Sequence, residues 1–350
     1  MSYIINPTKE FVNSEPVPKP LAQKSPASVN RLDVRVIFMG TPEFAVPVLK
    51  ELIANDYKPV AVVTAPDKPA GREQEITMPP VKIVAQENRI PVLQPETKND
   101  LIEQVLPLKP DLIALAAYGR ILPKEILAIP KYGSVNVHPS LLPKYRGPAP
   151  VQFAILNGDF QTGVTIMLMN EKMDEGDVLA TAEMEIGVTE TTGILETRLA
   201  DLGADLLVRT LKAIDSITPI PQDHGAATYA PKLKKDDGLI GWEGNGAEVD
   251  RHIRAMTPWP TAFTFLRTER LIILEGRLQE KSGEPGGQRQ GCIPGTILEA
   301  GKTGIRILCG QGPDYRITRL QPEGRKSMDA AAYIAGGKIT AGDILGRPPA

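Results

Sequence analysis

Short apolar runs alternate with amphipathic stretches along the first two hundred residues. "VRVIFMG", residues 34 to 40, is a β-branched run closing on Gly40 and predicts a buried strand. A helix is expected from Glu43 to Ala54, entered through Thr41-Pro42, with Phe44, Val48 and Leu52 at helical spacing. Then come "PVAVVTAPD" (strand), "VKIVAQEN" (helix), "IPVLQP" (strand), "NDLIEQVLPL" (helix), "DLIALAAYG" (strand) and "PKEILAI" (helix). Strands that are apolar throughout and alternate with helices indicate a parallel sheet covered on both faces, a doubly wound, Rossmann-like α/β domain. "SVNV" is a further strand, "GVTIMLMNEKMDEGDVLATAEMEI" two strands around a turn, and a helix from Thr192 to Ile214 closes the unit.

Beyond residue 220 the pattern changes. "PIPQDHGAATYAPKLKKDDGL" reads as a linker by its Pro, Gly and Lys content, and "GAEVDRHIRAM" as a short helix. "FTFLRTER", "RLIILEGRL", "GTILEAG", "GIRILCG" and "YRITRLQ" come next at hairpin spacing and predict a small antiparallel β-barrel, OB-like in size. "SGEPGGQRQG" would be a flexible loop within it, and "MDAAAYIAG" a last helix between Ser327 and Gly336. The expected division is a disordered extension over 1–33, a catalytic α/β domain over 34–220, a linker over 221–240 and a barrel over 241–346. The extension has five prolines and little to bury; Glu10, Glu15 and a single Arg weigh against a transit peptide.

Composition adds one asymmetry. The formal charge of all 350 residues is -2, but from Arg251 to Ala350 there are 15 Lys+Arg against 9 Asp+Glu. That excess permits a polyanionic partner for the C-terminal part. Cys292 and Cys309 are too few for a disulfide framework or a cysteine zinc site. No metal is expected, and no apolar run approaches the roughly 20 residues of a membrane span.

The candidate chemistry lies in "NVHPSLLPKYRGPAP", residues 136 to 150. Positions two apart on a strand share a face, so Asn136 and His138 project together, and four prolines stiffen the loop behind them. In a parallel sheet, ligands bind beyond the carboxyl ends of the strands, where this pair sits. "MDEGD" offers an acid, Asp174, which taken alone is equally well an ordinary turn residue. "GTPEFA" after the first strand lacks the second glycine of a dinucleotide fingerprint, so nicotinamide binding is disfavoured and Gly40 reads as a tight turn.

"RVIFMGTPEFAVPVLKELI", "APDKPAGR", "AAYGRILP", "NVHPSLLPKYRGPAP", "MDEGD", "TYAPKL", "TPWPTAFT" and "LQPEGRKSM" occur in this order between residues 34 and 346. Together they resemble the folate-dependent formyltransferases, and among these the methionyl-tRNA formyltransferases. The resemblance implies transfer of the formyl group of 10-formyltetrahydrofolate to the α-amino group of methionine on initiator tRNA. It implies Asn136, His138 and Asp174 as the catalytic trio. Ser140, Leu141, Leu142 and Pro143 would contact the folate, and Ala116, Ala117, Tyr118 and Gly119 would line the pterin pocket through their backbone. Arg72 would reach tRNA from a loop that departs from the family in carrying Glu73 and Glu75. The barrel would bind tRNA, and the enzyme is expected to be cytoplasmic and monomeric, or organellar if the extension is a transit peptide. The rival readings are a sugar-nucleotide N-formyltransferase with the same donor, and an RNA-binding module that has lost catalysis.

Overall fold

A computed structural model describes residues 34–70, 75–280 and 291–347. The N-terminal extension, Arg72 and Glu73, and nearly all of "SGEPGGQRQG" lie outside the described residues. In chain order the first unit contains β1 (Val36–Gly40), α1 (Ala45–Ala54), β2 (Ala61–Val63), β3 (Lys68–Ala70), β4 (Glu75–Thr77), α2 (Pro80–Glu87), β5 (Val92–Leu93) and α3 (Lys98–Val105). It continues with β6 (Leu112–Ala116), α4 (Lys124–Leu127), β7 (Ser134–His138), α5 (Pro150–Asn157), β8 (Gln161–Leu168), β9 (Val178–Glu185) and α6 (Thr192–Lys212).

Seven of these strands form one sheet in the order β5-β2-β1-β6-β7-β8-β9. The first five are parallel, and β8 and β9 add an antiparallel edge. Side-chain alternation explains why the central strands are apolar at every position. Val36, Phe38, Leu112 and Ala114 pack into one core cluster, while Ile37, Met39, Ile113 and Leu115 pack into another. Each fully buried aliphatic side chain contributes roughly 1.5–3 kcal/mol, so both faces demand helices. The chain order reverses between β1 and β6, which places the crevice beyond their carboxyl ends.

Local differences have local causes. α1 begins at Ala45, two residues after the expected Glu43. Gly40 is a close-packing glycine rather than a turn glycine: a Cβ there would lie 2.7 Å from the Ala45 Cβ and 2.8 Å from the Ala116 carbonyl oxygen. α3 stops at Val105 and gives way to one 3₁₀ turn, Leu106–Leu108, because Pro107 cannot continue an α-helix interior. The segment after "APDKP", expected as a loop, has flanks that pair as the β3–β4 ladder.

The second unit contains α7 (Gly246–Ala255), β10 (Ala262–Leu266), β11 (Glu269–Gln279), β12 (Ile297–Gly301), β13 (Gly304–Ile307), β14 (Asp314–Pro322), β15 (Met328–Asp329), α8 (Ala330–Ala335) and β16 (Leu345–Gly346). Its sheet is antiparallel and runs β12-β13-β14-β11-β10-β16, with β15 on β14. The sheet curls until its ends meet: Ile297 N–H donates to Asp343 O at 2.8 Å and Leu345 N–H to Gly295 O at 2.9 Å. Met328 and Asp329, expected as helix, extend the sheet instead, so the last helix is only six residues long. Among the described residues no helix is long and apolar enough to cross a membrane.

Candidate active site

β7 delivers Asn136 and His138 to the carboxyl edge of the sheet. Asn136 lies between Leu115 of β6 and Met167 of β8, and His138 lies opposite Thr165. Ala116, the last residue of β6, pairs with Val137, so the pair and the "AAYG" segment share one edge. Asp174, on the turn between β8 and β9, brings its Oδ1 to 3.8 Å from His138 Nδ1. Its Oδ2 accepts the Gly147 backbone N–H at 2.8 Å.

The imidazole is 4 % exposed, and Nε2 lies 3.0 Å from the Tyr145 carbonyl oxygen. A carbonyl only accepts, so Nε2 carries the proton. Nδ1, facing Asp174, is then the nitrogen left to take up a proton. The Asp174 carboxylate stands 3.8 Å from that nitrogen.

Three non-glycine residues around this point have left-handed backbones: Ala117 at φ +47°, Tyr145 at +61° and Asp174 at +50°. Such conformations cost about 1–3 kcal/mol each and persist only where the surroundings enforce them. A threonine fixes the turn between them. Thr165 Oγ1 donates to Ser140 O at 2.7 Å and accepts from Leu142 N–H at 3.1 Å, fixing the Leu-Leu-Pro corner. Ser140 is fully buried, with its hydroxyl on the Lys144 carbonyl; Leu141 and Pro143 are the half-exposed members of that corner.

The "AAYG" segment presents backbone rather than side chains. Tyr118 turns its ring into the core with Leu115 and Leu122, and burial pushes its phenol above the ordinary range. Ala117 and Gly119 are exposed, and a Cβ on Gly119 would meet nothing within 4 Å. Open space beside exposed backbone at a switch point suits a flat heterocycle with its own donors and acceptors. Arg72 lies outside the described residues. Asp67, before β3, bonds Lys82 Nζ at 2.6 Å and Gln94 Nε2 at 2.8 Å; the Lys82 contact holds the Asp67 carboxyl below its usual range.

Sequence reasoning passed over a buried cation. Arg146 is 1 % exposed. It ion-pairs with Glu175 at 3.4 Å and donates to Gln222 Oε1 at 3.1 and 2.8 Å. Gln222 donates in turn to the carbonyls of Asp174 and Gly176. The Arg-Gly within "PKYRGPAP" is the sole sequence signal for this network, and a buried Arg reads like any surface Arg until its partners are known. Among the described residues no group of three or more His, Cys, Asp and Glu could hold a metal ion.

Known proteins share both units. Residues 34–211 match the family model described as "Formyl transferase", and residues 232–338 match "Formyl transferase, C-terminal domain". The methionyl-tRNA formyltransferase of Citrifermentans bemidjiense is 45% identical over 321 residues, covering 91% of this chain and 98% of that protein. That of Bacillus subtilis is 45% identical over 316 residues, covering 89% and 98%. An N-formyltransferase from Helicobacter canadensis, solved with folinic acid and dTDP-3-aminofucose, has TM-score 0.61 at 19% identity over 81% of this chain and 98% of that one. HypX from Aquifex aeolicus, solved with tetrahydrofolic acid, has TM-score 0.60 at 17% identity over 87% and 47%. These two likenesses are of fold alone, whereas the identity to the tRNA enzymes runs through both units; the chain belongs to the methionyl-tRNA formyltransferase family.

Proposed function

We propose that the chain transfers the formyl group of 10-formyltetrahydrofolate to the α-amino group of methionine on initiator tRNA, with Asn136, His138 and Asp174 at the reacting centre. The observation that carries this is the His138–Asp174 approach of 3.8 Å, beside Asn136 at the carboxyl edge of the sheet. The donor supplies an activated formamide carbon.

The amine nitrogen bonds to that carbon, and its carbonyl oxygen becomes an oxyanion. The Asn136 side-chain N–H is a neutral donor for that oxygen; one such donor is worth about 2.7–4 kcal/mol. The amine must lose a proton, a modest demand because free α-amino groups titrate at about 8. His138 Nδ1 is the open acceptor, since Nε2 is committed to Tyr145. Asp174 supports the resulting cation. Collapse breaks the bond from carbon to the folate nitrogen, which leaves with a proton. No side-chain nucleophile is needed.

The backbone of Ala117 and Gly119 and the outward residues Leu141 and Pro143 would hold the folate. The α/β unit over 34–220 would carry the chemistry. The curled sheet over 241–346 would take the tRNA, through the excess of Lys and Arg that lies beyond residue 250, joined by Arg72 from the first unit. The test is formylation of charged initiator tRNA with a nucleotide-linked aminosugar as competing acceptor. Formyl transfer to the tRNA alone is expected; preference for the aminosugar refutes the assignment.

A further inference from the structure

Residues 221–240 read as a linker, yet the stretch from Gln222 to Ala230 runs along the loop that holds the reacting centre. Arg146 N–H donates to Thr228 O at 2.9 Å, and Ala230 N–H to Arg146 O at 2.8 Å. Thr228 N–H donates to Pro143 O at 3.2 Å, and Thr228 Oγ1 accepts the Tyr145 N–H at 2.9 Å. At its other end, Gln222 is buried and uses both ends of its amide. Its oxygen takes the Arg146 guanidinium, and its nitrogen reaches Asp174 O at 2.9 Å and Gly176 O at 2.7 Å.

Two of these contacts bear on the His138–Asp174 pair, one on each half. Thr228 holds the left-handed Tyr145, whose carbonyl sets the imidazole tautomer. Gln222 holds the left-handed Asp174, whose carboxylate faces Nδ1. A tie between domains needs neither contact.

We propose that the segment from Gln222 to Ala230 is a positioning strap for the His138–Asp174 pair, Gln222 and Thr228 being positioning residues that touch neither substrate. This rests on the catalytic reading given above. Only a donor–acceptor amide serves at position 222. In Gln222→Glu the carboxylate still accepts from Arg146, but it turns an acceptor toward the carbonyls of Asp174 and Gly176. Thr228→Val keeps the shape and removes the oxygen that receives Tyr145 N–H.

The test uses the full chain, charged initiator tRNA and 10-formyltetrahydrofolate. Absence of transfer by the wild-type protein would overturn the functional reading itself. Given an active wild type, Gln222→Glu and Thr228→Val should lower kcat by about 10-fold to 100-fold, the range for a small misplacement of reacting groups. The KM for the folate should stay within about two-fold, since ground-state binding is untouched. In an Asp174→Asn background, Gln222→Glu should cause little further loss, because groups acting as a unit are non-additive. Thermal unfolding decides which variants are scored, and Thr228→Val alone decides if Gln222→Glu does not fold. Wild-type kcat in every folded variant, or full additivity with Asp174→Asn, overturns the proposal.

Discussion

His138 and Tyr145 are joined by a 3.0 Å contact from the imidazole Nε2 to the backbone carbonyl oxygen, which leaves Nδ1 as the basic nitrogen beside Asp174. A main-chain bond seven residues along the same loop thus fixes which ring nitrogen faces Asp174. Asp174 faces one ring nitrogen, while the Tyr145 carbonyl holds the other.

That division predicts the behaviour of the trio. Asn136→Ala, His138→Ala and Asp174→Asn should each lower kcat by at least about 100-fold, the low end for losing a transition-state donor. Folate affinity should be largely kept. Rates near wild type in any two variants, measured by single-turnover formylation, would remove the assignment.

Tyr145 gives a signature at high pH. Its phenol donates to Asp159 at 2.8 Å and accepts from Asn157 at 3.0 Å. Burial first, then Asp159, push it up to about 12. A raised phenol pKa favours the neutral form in the fold. The stabilisation is complete below the unfolded value of about 10 and is lost as pH rises through about 12. Tyrosinate absorbance should show one late-titrating phenol fewer in Tyr145→Phe, and that variant should lose less stability across this window. An unchanged titration would refute the prediction.

Gly147 donates its N–H to Asp174 at φ +116°, and a Cβ there would sit 2.6 Å from the Ala230 carbonyl oxygen. Both strain and collision fall on backbone, which cannot swing away. Gly147→Ala should cost at least about 1–3 kcal/mol from the left-handed conformation alone, together with a loss of kcat. Denaturant unfolding of wild type and variant is the measurement; equal midpoints would show that the loop yields freely.

Arg146 is a buried cation held by Glu175 and Gln222. Arg146→Met should destabilise by at least about 1–3 kcal/mol, since it leaves the buried Gln222 oxygen without its donor, while Glu175 keeps Lys172 at 3.3 Å. Arg146→Met with Glu175→Gln should recover little of that loss, because Glu175 is already paired with Lys172 in the single variant. A double variant restored to wild-type stability in thermal unfolding would show that Glu175, and not Gln222, is the partner that matters.

Arg72 precedes Glu73 in the sequence, and Glu75 follows two positions later. Arg72→Ala should lower kcat/KM for charged tRNA by roughly 10-fold, in line with losing one charged contact. Glu73→Lys should raise it, and folate affinity should not change in either. Equal damage to folate binding would place Arg72 elsewhere.

Much of this molecule is legible in its sequence. Runs such as "VRVIFMG" and "DLIALAAYG" are apolar at every position because both faces of a central parallel strand are buried, and this alone implies the doubly wound class. Asn136 and His138 are readable as a pair because strand periodicity is a local rule. The family resemblance supplies Asp174, which local rules leave as a turn residue. The rest depends on partners far apart in the chain. Arg146 is buried because Gln222 and Glu175 close over it, and the "linker" is a strap because Thr228 and Ala230 meet Pro143 and Arg146. Composition describes that segment only as polar and turn-rich, since a backbone bond leaves no mark on the residues that make it. The sequence by itself determined that Asn136 and His138 share one strand face, whereas the tertiary structure decided which nitrogen of His138 faces Asp174, because that depends on a carbonyl only the folded loop brings within reach.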